Sequence, residues 1–99
     1  MFIRTDLPIQ QQMVQSNHAA LEAGIFLGDK TQDEPSSLIV IAVKNKSKLE
    51  KVLLDLTDKG IKHIPFYEPD WDYGLTAIGT EPLTQDLRVL LKRFSYGIN

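Results

Sequence analysis

Residues 38–43 read LIVIAV, six apolar residues in a row and four of them β-branched. The run is bounded by turn formers and charge in GDKTQDEPSS (28–37) and by a lysine-rich stretch from Lys44. A short apolar run with no polar alternation reads as a strand covered on both faces, and such strands belong to sheets with helices packed on either side. The expectation is an α/β domain with this strand at its centre.

The flanking segments supply the other layers. Residues 2–4 read as a short first strand, followed by a helix over residues 5–24, TDLPIQQQMVQSNHAALEAG. Asp6 has the right chemistry for its N-cap, and Pro8 sits where a missing N–H costs nothing. Helical spacing places Ile9, Met13, Asn17, Ala20, Leu21 and Gly24 on one face, with Val14 at its edge, and this face is expected to pack. Gln11, Gln15, His18 and Glu22 form a polar ridge beside it. Ala19, Ala20, Ala23 and Gly24 suggest that another backbone comes close. A second helix begins at Ser47, where Ser47 and Glu50 have capping-box spacing. Its buried stripe is Leu49, Val52, Leu53 and Leu56, and Gly60 is its C′ residue. Residues 61–67 form a third strand, which Pro65 assigns to an edge or a bulge. An acidic turn, EPDWDY (68–73), leads to a fourth strand at 75–79. Leu83, Leu87, Leu90, Leu91 and Phe94 then mark a final amphipathic helix. The order βαβαββα predicts one domain over residues 1–99, a three-layer α/β sandwich around a four-stranded mixed sheet.

Composition narrows the function. A net charge of −2 and a pI near 5.6 argue against a generic nucleic-acid binder. The absence of cysteine removes disulfides and thiolate chemistry, and it fits a reducing compartment. The first residues lack the pattern of a secretory signal, and no apolar stretch approaches the roughly 20 residues of a membrane span. A cytoplasmic protein is expected.

Candidate chemistry gathers in three places. His18 reads either as a helix-surface partner of Glu22 or as a site residue. Glu68, Asp70 and Asp72 alternate along the acidic turn, at the strand ends where an α/β sheet leaves a crevice. A calcium-loop register starting at Asp70 fails, because Gly74 offers no ligand and Leu75 replaces the required glycine. The carboxylates therefore read as turn residues or as groups that orient water or substrate, and no metal is expected. Trp71 between two aspartates suits base stacking or burial in a dimer. Lys44, Lys46, Lys48 and Lys51 form a run that either meets phosphate or is simply solvated.

Taken in order, several fragments resemble the type II peptidyl-tRNA hydrolases. They are Arg4-Thr5-Asp6-Leu7 after the first strand, Gln15-Ser16-Asn17-His18-Ala19-Ala20 in the first helix, Val43-Lys44 after the second strand, and Ala77-Ile78-Gly79 before Pro82. The stretch EPDWDYGLTAIGTEP looks like the second motif of a divergent small branch. The resemblance covers nearly the whole chain. It implies hydrolysis of the ester between a peptide and tRNA, without metal or organic cofactor. The family uses a first-helix lysine, an acidic residue after the third strand and a fourth-strand threonine. Those positions fall here on Gln11, on Glu68 or Asp70, and nearest Gly74, with Thr76 two residues on and expected on the same face.

No lysine occurs between Thr5 and Gly28. A neutral Gln11 can donate a hydrogen bond to a developing oxyanion but adds no charge. Lys44, Arg4 or His18 are the candidates to supply it. Two functions follow. One is an esterase in which Glu68 or Asp70 orients water, Thr76 and Gln11 position the ester, and Lys44 meets tRNA phosphate. The other is a non-catalytic module that binds RNA or a protein, or a second copy, through Trp71 and the His18 ridge.

Overall fold

Four short strands join edge to edge, and one helix lies against each face of the resulting sheet. The computed structural model of the protein describes residues 1–28 and 40–82. In chain order these are β1 (Phe2–Arg4), α1 (Ile9–Leu27), β2 (Ile41–Val43), α2 (Lys46–Asp58), β3 (His63–Glu68), a single 3-10 turn (Asp70–Asp72) and β4 (Gly74–Thr80). The sheet order is β2-β1-β4-β3; β1 and β2 are parallel, and β4 runs antiparallel to both β1 and β3. The fold is thus α/β with a mixed four-stranded sheet, as expected. The final helix anticipated from Leu83 to Phe94 lies outside the described residues.

The β-branched run is not central. β2 is an edge strand, and three-residue β1, buried along its whole length, takes the middle with β4. An apolar run reports burial; it does not report which neighbour lies on each side. Pro65 behaves as expected, since β3 is the other edge and its ladder shifts register between Phe66 and Tyr67.

Helix α2 follows its hydrophobic pattern. Leu49, Val52 and Leu56 are fully buried against Phe2, Val43, Leu75 and Ile78. Its N-cap is Asn45, whose side chain accepts from the Lys48 amide at 2.9 Å, so the helix starts earlier than the Ser47/Glu50 pattern indicated. At the other end Gly60 adopts φ +68, its amide donates to Thr57 and the Ile61 amide donates to Leu56. This paired closure satisfies terminal carbonyls and needs a left-handed residue at C′, which glycine supplies cheaply.

Helix α1 inverts its pattern. Gln15, Ala19 and Ala23 are its buried residues, while Ile9, Met13, Val14, Leu21, Ile25 and Phe26 are 46–68% exposed. The cause is the close approach of α1 to β4. A Cβ built on Gly79 would lie 2.5 Å from the Ala23 Cβ and 2.7 Å from the Ala19 carbonyl oxygen. At that crossing only alanine fits beneath the helix, so Ala19 and Ala23 face Gly79, Gln15 one turn earlier in the same i, i+4 row is buried against Thr76, and the large apolar residues are exposed. Ala19 packs there with Ile3 and Ala77, on the opposite face from α2. Asn17 turns outward with the apolar face. Asp6 does not cap α1; Pro8 holds the N-cap position without a side-chain bond, and Asp6 pairs with Arg4 instead. Gln12 secures the turn into the helix by donating to the Thr5 and Leu7 carbonyls. Among the described residues no helix is long and apolar enough to cross a membrane.

Candidate functional site

Because β1, β2 and β3 run in one direction, their carboxyl ends share one end of the sheet with the first turns of α1. A buried amide organises this end. Gln15 is 0% exposed and its Oε1 accepts from the Thr76 hydroxyl at 2.8 Å. Its Nε2 donates to Glu68 Oε2 at 2.9 Å and to Gln11 Oε1 at 3.3 Å. The Glu68 carboxylate fixes the amide's orientation, since only the nitrogen can face it. That choice propagates: Gln11 must present its oxygen to Gln15, which leaves its own Nε2 donors unused by Gln15.

A β-bulge brings Thr76 into this network. Phe66 pairs with Ala77 and Tyr67 with Leu75, leaving Thr76 as the extra residue of β4. Bulges re-aim side chains, and this one points Thr76 at α1. Gly74 faces the other way, since a Cβ there would lie 3.0 Å from Lys46 Nζ on α2. Gly74 has φ +66, outside strand geometry, so the alternation that would place it on the face of Thr76 does not hold at this position.

Glu68 is held at both oxygens, because its Oε1 also accepts from the Asp70 amide at 3.1 Å. The Gln15 hydrogen bond, then the Asp70 amide, hold its carboxyl below the usual glutamate range; desolvation opposes them and the nearby His18 adds a small further lowering. The result is a carboxylate that stays ionised. His18 sets its ring edge-to-face on Phe66, with centroids 5.0 Å apart, at the margin of the same cluster.

The other residues singled out in the sequence lie elsewhere or are committed to the fold. Arg4 is 8% exposed; its guanidinium pairs bidentately with Asp6 and donates to the Tyr73 and Leu75 carbonyls at 2.6 and 3.0 Å. It therefore pins the start of β4 to the centre of the sheet. Lys44 is exposed at the end of β2, on the opposite edge from Glu68 and three strand spacings away, roughly 14 Å at about 4.8 Å per strand. The lysine that reaches the hairpin is Lys46. Asp70 and Trp71 are exposed in the 3-10 turn; Trp71 is 72% exposed, at φ +55, with its ring 5.8 Å from that of Tyr73. A left-handed tryptophan is costly backbone, and it aims the ring outward beside the cluster.

Gln15 was absent from the candidate catalytic set. The signal that could have found it is the row it shares with Ala19 and Ala23, since a ridge of small residues marks the side of a helix that approaches another backbone. Comparison with protein-family models, curated proteins and solved structures gives no match.

Proposed function

We propose that the chain is a hydrolase of the ester between a peptide and the 3′ end of tRNA. The reading is supported by the Gln15 amide, which joins Gln11, Glu68 and Thr76; the resemblance puts the lysine position on Gln11, the acidic position on Glu68 or Asp70, and the threonine position nearest Gly74, two residues before Thr76. Glu68 accepts a hydrogen bond from an attacking water and orients it. The water oxygen bonds to the ester carbonyl carbon while the outward Nε2 of Gln11 donates to the forming oxyanion. Glu68 takes the proton of the attacking water as the carbon–oxygen bond forms, and as the intermediate collapses the carbon–ribose oxygen bond breaks and Glu68 returns that proton to the ribose oxygen. The products are the free peptide acid and tRNA. Thr76 does not touch the ester; it fixes Gln15, which fixes the two groups that do.

The test is release of peptide from N-acetyl-aminoacyl-tRNA by the purified protein. Turnover is expected from the wild type, is lost in the Glu68→Gln, Asp70→Asn double variant, and falls about a hundredfold in Gln11→Ala. A second reading, a binding module without turnover, draws support from the charge distribution. Arg4 is consumed by Asp6, Lys44 lies across the sheet, and Lys46 lies on the α2 side, while Trp71 is open to solvent. Absent turnover with tRNA still bound at low salt would replace the first reading by this one.

A further inference from the structure

The buried Gln15 amide has a second way to satisfy all its neighbours, with every bond reversed. In the ionised site Glu68 gives Oε1 to the Asp70 amide and Oε2 to Gln15 Nε2. A proton on Oε2 directed at Gln15 sets donor against donor, and turning the Gln15 amide over removes the conflict. Its Oε1 then accepts from the Glu68 acid, and its Nε2 donates to the Thr76 hydroxyl across the 2.8 Å contact. That hydroxyl still has an acceptor for its own proton, the Phe66 carbonyl at 3.3 Å. Gln11, 3.3 Å from Gln15, turns over in its wake, giving Nε2 to Gln15 and freeing its oxygen. Gln15 and Thr76 are 0% exposed, so bulk water supplies no substitute partner and the bonds change together.

We propose that Gln15 is a positioning residue that couples the proton on Glu68 to the polarity of Gln11. With Glu68 ionised, Gln11 offers a donor to an incoming group; with Glu68 protonated, it offers an acceptor. Among the described residues, His18 on α1 and Asp70 in the turn are the titratable neighbours of Glu68. Lys46 on α2 reaches its ladder partner Gly74, and Arg4 on β1 is paired with Asp6. The Gln15 amide bonds to none of these, so the relay answers to Glu68. The relay rests only on these contacts; its effect on an oxyanion rests on the hydrolase reading. Under that reading, acid removes the base and the oxyanion donor of the free protein in one step. During turnover the oxyanion itself holds the Gln11 donor while the proton is on Glu68.

Glu68→Gln makes the reversed state permanent. Its Oε1 keeps the Asp70 amide, and its Nε2 then faces Gln15 as a donor without an acceptor lone pair. Nuclear magnetic resonance of the side-chain amides of the full chain reads this at neutral pH, without substrate. In the wild type the Gln15 amide protons are expected beside the side-chain methylenes of Glu68. In Glu68→Gln they are expected beside the Thr76 methyl, with the Gln11 amide protons exchanging with water about tenfold more slowly. Acidifying the wild type should bring the same two changes at the midpoint of the Glu68 carboxyl carbon. Gln15 amide protons that stay with residue 68 in Glu68→Gln overturn the proposal, whether or not the wild type hydrolyses its ester. Titration of the Glu68 carboxyl that leaves the Gln15 amide in place also overturns it. Reversal in a chain without turnover upholds the relay while the hydrolase reading falls.

Discussion

Two helices pack on one sheet by opposite rules. α2 buries Leu49, Val52 and Leu56 and turns its lysines outward, so the stripe read from its sequence and its packed face largely coincide. α1 buries a glutamine and two alanines and turns its isoleucines, methionine and phenylalanine outward. The difference is distance. α2 stands off the sheet far enough for Leu49 and Leu56 to fill the gap, while α1 lies so close to Gly79 that no large side chain fits beneath it. Amphipathicity predicts the buried face only where the helix has room to use it.

The largest expected effect separates the two helices. Leu56 is fully buried in the α2 core, so Leu56→Ala should cost about 2–5 kcal/mol, a large share of the roughly 5–15 kcal/mol that holds such a domain together. Leu21→Ala, on the outer ridge of α1, should cost under about 0.5 kcal/mol in the unassociated chain. Urea unfolding at low protein concentration measures both. Equal losses would mean that the α1 ridge is packed within the chain, and the contrast would collapse.

A smaller effect probes what lies under α1. Gln15→Leu removes the donor for Glu68 and the nearer of the two acceptors of the buried Thr76 hydroxyl, leaving it the Phe66 carbonyl at 3.3 Å, and should cost about 1–3 kcal/mol. Adding Thr76→Val removes that poorly satisfied hydroxyl with little change of shape, so the double variant should recover part of that loss. The recovery marks a polar interior held together by mutual satisfaction, in contrast to the α2 side. If Thr76→Val instead deepens the loss, the Thr76–Phe66 carbonyl bond at 3.3 Å matters more than the Gln15 pair.

These contrasts also measure what a sequence can tell. The strands, both described helices, the Gly60 closure and the edge position of the Pro65 strand follow from local chemistry and were legible. The cap moved from Ser47 to Asn45 because adjacent polar residues compete, and only the extended Asn45 backbone, φ −158, decides between them. The inversion of α1, the bulge at Thr76 and the employment of Arg4 depend on partners far along the chain. Arg4 meets carbonyls 69 and 71 residues away, and Gln15 meets Thr76 across 61. The resemblance led to Gln11, to Glu68 or Asp70, and to Gly74 with Thr76 two residues on; the role of the Gln15 amide in joining Gln11, Glu68 and Thr76 depends on contacts that only the folded chain makes.

The finest difference between the two sides is electrostatic. The α2 core is apolar, whereas the α1 side holds an ionised carboxylate whose folded form resists protonation. Since the Glu68 carboxyl is held below its ordinary range by Gln15 and the Asp70 amide, the unfolded chain binds that proton more readily than the folded one. The stabilisation is complete above the ordinary carboxylate range and is lost as pH falls through the lowered value. Glu68→Gln should therefore be less stable than the wild type at neutral pH, and the gap should narrow steadily on acidification. Urea midpoints from neutral pH down to the onset of acid unfolding give the comparison. Two curves that stay parallel throughout would mean that the Gln15–Glu68 bond does not distinguish the ionised from the protonated acid, and the carboxylate would lose its claim to orient water.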